Sequence, residues 1–432
     1  MLKNRMAMIA LLLMVSGLFK AARAQDGYTC IKAGKLFDGK STSLRENVII
    51  LIQGKRIVEL GEKIAIPRGA KIIDLSRMTV LPGLIDTHTH IILHPGDYDA
   101  QILRETPEYR AIYGTVLAKT TLESGITAIR DVGNEGAGLA DLALRDAINQ
   151  GLVPGPRIFA AVQPIGGTGS YELVGYSPYY KFPPISYEAD GPSEIRKQVR
   201  HLIKLGADLI KVYIESYEKK QVSKDSLTGA FNYSAEELKV LVEEAHRAGV
   251  KVAAHVYSDE GARLAVEAGV NSLEHGLYLR EETFRVMAEK NIFYVPTLLV
   301  YELWRDGKLF GGISPEDKIK LTNTVAKHTE AFKRALRTPV KIAFGTDTFE
   351  LPGTNAQELE LMVRYGMKPG DALKSATSVA AELLGISEIV GTIEKDKCAD
   401  LIACLGDPLQ DIRVTQKVSF VMKEGKIFLH RQ

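Results

Sequence analysis

Residues 82–90 read PGLIDTHTH, and this stretch opens the long alternating middle of the chain. Its apolar start predicts a short buried β-strand that ends on two histidines. Because side chains two apart on a strand point to the same side, His88 and His90 are expected to face one common space. Two imidazoles directed at one point are typical of a metal site with borderline-soft ligands, for which zinc is the usual ion. A His-x-His pair also occurs as ordinary hydrogen-bonded histidines, so other residues of the sequence must decide between these two interpretations.

Eight short apolar segments in the middle of the chain are strand candidates, most of them separated by helix-like stretches: 83–90, 126–132, 157–162, 208–214, 251–257, 272–278, 292–298 and 341–347. Apolar strands that alternate with helices predict a parallel sheet buried on both faces. Eight such units predict an α/β fold, a closed (β/α)8 TIM-like barrel with its function at the carboxyl ends of the strands. An open doubly wound sheet is the alternative, but no Gly-x-Gly-x-x-Gly turn follows the first strand.

The segments before and after this barrel region have a different residue pattern. Residues 29–80 and 400–428 contain brief β-branched runs, and in the first of these regions glycines separate the runs. This pattern is typical of short strands in a small sheet domain. We therefore predict one β-sandwich assembled from both termini, with an N-terminal part at 25–80, the barrel at 81–385 and a C-terminal part at 386–432.

The first 24 residues predict a secretory signal peptide. Lys3 and Arg5 precede an apolar run at 6–19, and Ala22-Arg23-Ala24 supplies the small-x-small pattern of a cleavage site. The run is short for a membrane span, which needs about 20 residues. The expectation is a protein exported to the periplasm or secreted, with no stable membrane span after cleavage; an uncleaved anchor is the alternative.

Composition narrows the function classes. The 432 residues are 45% hydrophobic, with 55 Lys and Arg against 53 Asp and Glu and a net charge of +2. This is ordinary globular composition, and the small charge gives no reason to expect nucleic acid or an anionic membrane as a partner. The three cysteines, Cys30, Cys398 and Cys404, are an odd number and are expected to be small buried hydrophobes. Homo-oligomer formation is left open.

Other candidate ligands fall at the ends of later strand candidates. His255 lies near the end of the fifth segment, His275 within the sixth, and Asp347 ends the eighth. Each residue alone could be a satisfied core histidine or a helix-capping aspartate. Their coincidence with His88 and His90 at the catalytic end of one barrel favours a metal centre instead.

Lys211 lies in the fourth segment, which is otherwise apolar on both sides. A lone buried ammonium costs several kcal/mol unless it is paired or neutralised. Lys211 could pair with Asp347 or another inward carboxylate. Alternatively its neutral amine could react with carbon dioxide, giving a carbamate able to bridge two metal ions. If two divalent cations bind at this end of the barrel, an anionic carbamate balances their charge, whereas an ammonium group would add to it. This favours the carbamate, and a single-metal site with an unmodified lysine stays the alternative.

These residues together resemble the ligand set of the amidohydrolase superfamily, in particular its imidazolonepropionase-like and Xaa-Pro (prolidase-like) dipeptidase group. The stretch from Gly391 to Lys395, followed by Ala399-Asp400-Leu401, resembles the C-terminal sandwich signature of the same superfamily. The resemblance runs from about residue 29 to the C-terminus. It implies a barrel, a sandwich built from both ends, and two divalent metal ions, with zinc as the default, bridged by a carboxylated lysine.

The resemblance also implies a role for each ligand. His88, His90 and Asp347 would hold the more buried metal, His255 and His275 the more exposed one, and the carbamate of Lys211 would bridge them. The metals would lower the pKa of a bridging water that attacks the substrate carbonyl. Asp347 would be the catalytic general base and then the general acid.

Three residues are candidates for substrate binding. Relatives that cleave dipeptides and N-acyl amino acids are similar in having a tyrosine two residues after the fifth-strand histidine, which holds the substrate carboxylate, and Tyr257 matches it. Many relatives also have a Gly-Gly-His-Gly stretch, whereas here Thr168 stands in place of that histidine. Tyr171 begins an aromatic loop that either contacts an apolar substrate group or simply packs as a lid. His94 is expected to be a loop histidine, and His201, His246, His328 and His430 surface residues.

The sequence therefore predicts an exported metal-dependent amidohydrolase. Its expected substrates are dipeptides, prolidase-type substrates or N-acyl amino acids, with the scissile amide next to a free carboxylate. Hydrolysis of a cyclic amide, as in imidazolone-like substrates, or of a lactone is the nearest alternative. A non-catalytic periplasmic binding protein on a barrel scaffold is a further one, because a fold does not fix a function.

Overall fold

The computed structural model describes residues 27–431 apart from 172, 174, 178, 216–226, 310–311 and 349–351. The predicted signal peptide at 1–24 lies outside the described residues. No helix in the described part of the chain has the length and apolar character that crossing a lipid bilayer requires. All three cysteines are buried and unpaired, as expected.

Strands from both ends of the chain form one seven-stranded sheet. They are β1 (Tyr28–Leu36), β2 (Arg45–Gln53), β3 (Arg56–Gly61), β4 (Lys71–Pro82), β14 (Leu401–Leu405), β15 (Val418–Lys423) and β16 (Lys426–His430), in the order β16-β15-β14-β4-β1-β2-β3. The C-terminal strands join the N-terminal ones because β14 pairs antiparallel with β4. Apolar side chains of β1, β2, β4, β14 and β15 share one core. The sheet thus confirms that the terminal domain is built from both ends.

The middle of the chain supplies the remaining strands: β5 (Leu84–Thr89), β6 (Ile126–Asp131), β7 (Arg157–Ala160), β8 (Ile165–Gly166), β9 (Tyr187–Glu188), β10 (Leu209–Tyr213), β11 (Lys251–Val256), β12 (Ser272–His275) and β13 (Phe293–Val295). They form two parallel sheets, ordered β5-β6-β7 and β13-β12-β11-β10-β8-β9. Most of these strands are buried throughout, as the apolar segments predicted.

Backbone hydrogen bonds connect the two parallel sheets on both sides. On one side, Asp208 N donates to Ala160 O at 2.8 Å, linking β7 to the start of β10. On the other side, segment 341–347 lies between β13 and β5. Ala343 N donates to Tyr294 O at 2.9 Å, and Asp347 N donates to His88 O at 2.8 Å. These bonds complete the ring of a barrel.

The eighth predicted strand is the least regular part of this ring. Residues 341–347 form a single bridge, between Tyr294 and Ile342, rather than a continuous ladder. Asp347 has a left-handed backbone (φ 55°) that ends the extended conformation. A Cβ atom on Gly345 would lie 2.4 Å from Val295 Cγ1 and 2.9 Å from His88 Cβ. The segment therefore approaches its neighbours more closely than a side chain at this position would allow.

Helices surround the barrel: α1 (Tyr98–Arg104), α2 (Pro107–Glu123), α3 (Ala140–Asn149), α4 (Gly191–Leu205), α5 (Ala235–Arg247), α6 (Asp259–Ala268), α7 (Glu281–Glu289), α8 (Leu298–Arg305), α9 (Pro315–Ala335), α10 (Gln357–Arg364), α11 (Pro369–Ser375) and α12 (Ser378–Leu384), with a 3₁₀ turn at Ile412–Gln416. Local signals fix their starts. Ser234 and Glu237 form a capping box at the start of α5, and the Ser258 hydroxyl caps α6.

Candidate metal centre and active site

The end of β5 brings two predicted ligands to Asp347. His88 and His90 point the same way, and their Nε2 atoms lie 3.7 Å and 3.2 Å from Asp347 Oδ1. Ligand atoms of all three residues fall within 4.8 Å of one another. The two histidines and one carboxylate could therefore share one cation.

His275 and His255 extend this cluster. The His275 ring lies 4.8 Å from the His88 ring and 4.6 Å from the His255 ring, between centroids. The strand ends that carry the cluster are conformationally strained, since His275 (φ 69°) and Asp347 (φ 55°) both have left-handed backbones. Such strain in residues with a side chain is common at functional sites.

Lys211 points into the barrel and is only 1% exposed. Its Nζ lies 5.9 Å from the Tyr213 ring centroid. Across the described residues, it makes no hydrogen bond and has no carboxylate oxygen within 4.0 Å. Burial lowers the pKa of Lys211 to about 8, although Glu274 and Asp347 raise it. The direct carboxylate pairing that the sequence left open is therefore not present in the described structure.

Three of the four histidines of the cluster have the protonation state that suits metal binding. Burial, with the positive charge of Lys211 and other neighbours, lowers the pKa of His88, His255 and His275 well below the usual value. These imidazoles are neutral at pH 7, the form that binds a metal. His90 differs: burial acts to lower its pKa, but Asp347 and Glu135 raise it well above the usual value. In addition, His255 Nε2 is buried and has no hydrogen-bond partner among the described residues. The donor set therefore fits divalent cations.

A buried ion pair beneath the cluster orients His88, and sequence reasoning missed it. Glu274 Oε2 accepts a 2.8 Å hydrogen bond from His88 Nδ1, while its Oε1 lies 2.7 Å from an Arg130 guanidinium nitrogen. Arg130 and Glu274 are 3% and 0% exposed. With Nδ1 committed to the carboxylate, the lone pair of His88 is left on Nε2, which faces Asp347.

The other ligands have similar supports. His90 Nδ1 donates to Gly133 O at 2.8 Å and lies 3.2 Å from Glu135 Oε1. His275 Nδ1 is hydrogen-bonded to the Thr297 hydroxyl at 2.8 Å. Asp86 accepts hydrogen bonds from the Thr346 amide and hydroxyl, at 3.1 and 2.7 Å, which fixes the segment that carries Asp347.

The three predicted substrate residues lie in different surroundings. Tyr257 is 4% exposed, with its ring 4.5 Å from that of His255. Tyr171 stacks on Tyr213 at 4.1 Å and lies 5.9 Å from His255. Thr168 is exposed, and its hydroxyl donates to Asp190. The structure thus brings Tyr257 and Tyr171 to the histidine cluster, while Thr168 is engaged with Asp190; substrate binding by all three stays a prediction.

The aromatic loop packs against α1. The Tyr176 hydroxyl donates to Asp99 Oδ2 at 2.7 Å, and Tyr171 and Phe182 pack on a small cluster formed by Ile102, Leu173 and Ile185. Tyr179 remains 94% exposed. The described residues of the loop therefore pack on α1 and its neighbours, and contact with an apolar substrate group stays a prediction.

The expectation that His328 is a surface residue is wrong, because it is 2% exposed and lies beside the cluster. Its ring is 5.2 Å from that of Tyr301. On α9 it continues the buried face of Leu321, Val325 and Phe332, and this helical spacing was the signal available in the sequence. His201, His246 and His430 are exposed, and His94 is a loop histidine bonded to Glu105, as expected.

Comparisons with known proteins agree with this architecture. The model of the amidohydrolase family matches residues 79–428. The chain is 34% identical to ochratoxinase from Aspergillus niger over 431 residues, covering 93% of this chain and 86% of the relative. A solved Xaa-Pro dipeptidase with bound methionine in the active site is 36% identical with a TM-score of 0.83, covering 93% of this chain and 99% of the other. A prolidase complexed with N-methylphosphonate-L-proline is 29% identical with a TM-score of 0.83, covering 94% and 100%.

The barrel, with its polar cluster at the carboxyl ends of the strands, defines an enzyme of the TIM-barrel hydrolase class. The chain belongs to the amidohydrolase family and is a hydrolase that acts on C–N bonds.

The Glu274→Gln variant should bind zinc about 10- to 100-fold more weakly than the wild type, because the amide leaves Arg130 unpaired and holds His88 less firmly. Zinc affinity is measured by competition with a chromophoric chelator, without any substrate. Glu244→Gln is the matched control, since Glu244 is also buried and paired with arginines but lies on α5. Unchanged affinity in Glu274→Gln would show that the ion pair does not support the centre.

Replacing Lys211 by methionine should stabilise the metal-free protein at neutral pH. The pKa of Lys211 falls from 10.5 to about 8 on folding, which corresponds to a cost of about 3 kcal/mol at pH 7. Between these two pKa values the unfolded chain binds more protons, so wild-type stability rises with pH and the advantage of the variant shrinks.

The measurement is urea unfolding of chelator-treated protein in bicarbonate-free buffer at about pH 7 and about pH 10. Lys63→Met, at an exposed lysine, is the control. A Lys211→Met protein that is less stable than the wild type at both pH values contradicts this account of the buried amine.

Proposed function

We propose that this chain is a metal-dependent amidohydrolase that cleaves an amide bond adjacent to a free carboxylate, in dipeptides, prolidase-type substrates or N-acyl amino acids. The observation that carries the proposal is the cluster at the barrel end: four histidines, Asp347 and the buried Lys211 meet there, with Tyr257 beside His255.

The donor set would hold two divalent cations, with zinc as the ion expected for imidazole and carboxylate ligands. His88, His90 and Asp347 would bind one ion, and His255 and His275 the other. Bound ions of this kind supply a nucleophilic water at neutral pH and polarise a carbonyl oxygen. Lys211 would bridge them as a carbamate: its neutral Nζ forms a bond to the carbon of CO2 and releases one proton to solvent, which leaves an anion in place of a buried ammonium.

The residues of the chain would then move the protons of the reaction. Asp347 is 17% exposed at its side chain and lies within 4 Å of three histidines. One of its carboxylate oxygens would accept the proton of the attacking water and afterwards deliver it to the leaving nitrogen. Burial of the histidines excludes competing water, which strengthens these polar interactions.

Tyr257 would bind the substrate carboxylate through its hydroxyl. Its position between His255 and His275, with ring centroids 4.5 and 5.7 Å away, supports this role. The names of the similar proteins point to the same substrate class, since two are a Xaa-Pro dipeptidase and a prolidase complexed with a phosphonate of proline. The name of ochratoxinase, at 34% identity, adds ochratoxins to the compounds to be tested.

The test compares hydrolysis of N-acetyl-L-proline, and of a panel of dipeptides and other N-acyl amino acids, with their carboxyl-amidated analogues on zinc-loaded protein. Amidation should lower kcat/KM by about 10-fold or more, because a charge-assisted hydrogen bond is lost. Chelation should abolish the activity, and zinc with bicarbonate should restore it. Equal rates on acid and amide would remove the carboxylate from the proposal, and a protein inert with every metal would favour a binding protein.

We also propose that the protein is exported, on the motif of Lys3 and Arg5, the apolar run at 6–19 and Ala22-Arg23-Ala24. Expression of the full chain in a bacterium, followed by fractionation and N-terminal sequencing, should give an extracytoplasmic protein that begins at Gln25. Ala24→Phe should block the cleavage. A full-length wild-type protein confined to the cytoplasm would contradict export.

A further inference from the structure

Helix α2 is apolar on two opposite sides, and the barrel covers only one of them. Its inner side lies in the main core, through residues such as Leu117 and Leu122. On its outer side, Tyr109, Ile112 and Val116 are 50%, 69% and 59% exposed. Their spacings of three and four residues place them in one line, here called the outer stripe. A surface helix usually has polar residues on this side, so the outer stripe is typical of an interaction surface.

The polar groups beside the outer stripe are already paired within the helix. The Thr115 hydroxyl donates to Ile112 O at 2.7 Å, and the Thr120 hydroxyl donates to Val116 O at 3.0 Å. A partner that covers the outer stripe therefore does not leave these two hydroxyls without a hydrogen bond. This removes one of the main costs of burying such a face.

The charges beside the outer stripe are self-complementary. Glu108 and Lys119 are separated by about three helical turns, so they lie on the same flank at opposite ends of the stripe. Lys119 Nζ lies 3.8 Å from Glu123 Oε1, and the lysine side chain is 58% exposed. If two copies of α2 pack antiparallel, with Ile112 against Val116 of the partner subunit, the flanks meet. Lys119 of each copy then comes within about one residue, or about 1.5 Å of helix rise, of Glu108 of the partner subunit.

Other occupants fit this surface less well. The outer side of a helix is convex, whereas small ligands bind in concave sites. An anionic membrane attracts helices with several basic residues on the polar face. On α2 the exposed charges are Glu108, Lys119 and the half-buried Glu123, so the acidic residues outnumber the basic one.

We infer that the outer side of α2 is an interface between two copies of this chain, in which the two helices pack antiparallel about a two-fold axis. Ile112 of each copy contacts Val116 of the partner subunit, and two pairs of Glu108 with Lys119 flank the apolar contact. The inference does not depend on the proposed function, because the outer stripe faces away from the barrel and its metal centre.

The experiment measures the mass of the purified mature protein by sedimentation velocity from ~1 to ~100 µM, because interfaces of modest size often have micromolar affinities. At the highest concentration we expect the wild type to have at least twice the mass of one chain. Ile112→Glu should have about half the wild-type mass or less, because it places a carboxylate against an apolar partner. Ile319→Glu is the matched control, since Ile319 on α9 is 67% exposed, and it should keep the wild-type mass.

A charge exchange tests the antiparallel arrangement with the outer stripe intact. Lys119→Glu should weaken association about 3- to 10-fold, because two exposed ion pairs become repulsive contacts. Adding Glu108→Lys to the same chain should restore the wild-type association, since the two charges then meet in the reversed order.

A wild type that is monomeric at the highest concentration overturns the inference, and so does an Ile112→Glu protein of unchanged mass. Equal losses in Ile112→Glu and Ile319→Glu assign the effect to added charge and overturn it too. A double charge variant that associates as weakly as Lys119→Glu contradicts the antiparallel pairing. A monomer that co-sediments with phosphatidylcholine vesicles, and loses this binding in Ile112→Glu, assigns the outer stripe to a membrane instead.

Discussion

The buried amine of Lys211 is the constraint on which the rest of the site depends. A charge or strong polar group with no partner is costly inside a protein, yet Lys211 is 1% exposed and lies near His88, His255 and His275. The nearby negative charge is already used: Glu274 is shared between Arg130 and His88, and Asp347 lies nearest to His90. Such an arrangement disfavours the protonated form of Lys211 and favours a neutral amine that can become a metal ligand.

The supporting contacts prepare the histidines before any ligand arrives. Each of His88, His90 and His275 has its Nδ1 held by a carboxylate, a carbonyl or a hydroxyl. This commits one nitrogen to the protein and fixes the ring, so that little reorganisation is left for binding. The left-handed residues at the ends of β12, β13 and segment 341–347 show that the fold accepts backbone strain to keep this geometry. Stability elsewhere, in the barrel core and the two-ended sheet, must compensate for it.

Much of the fold and of the candidate site was predictable from the sequence, because two rules act together. Alternation along a strand gives the direction of His88 and His90, and the barrel gathers the ends of distant strands, which brings His255, His275 and Asp347 beside them. Glu274 and Arg130 were not predictable in the same way: their pairing depends on which residues of β6 and β12 face each other across the barrel, and neither strand alone reveals this.

His328 and Tyr301 lie on helices, where a buried polar residue resembles an ordinary amphipathic position. The apolar run of segment 341–347 predicted a strand, but its irregular pairing was not predictable, because its hydrogen bonds run to two neighbours without forming a ladder. The domain limits and the signal peptide stay predictions.

The central claim is that six side chains converge on a pair of cations bridged by modified Lys211. A crystal structure of zinc-loaded protein prepared with bicarbonate, with anomalous data collected at the zinc edge, tests it most directly. The account predicts two anomalous peaks, one beside His88, His90 and Asp347 and one beside His255 and His275, with density for a carboxylated Nζ on Lys211 between them. A single peak with an unmodified Lys211 amine, or no peak at the cluster, would contradict it.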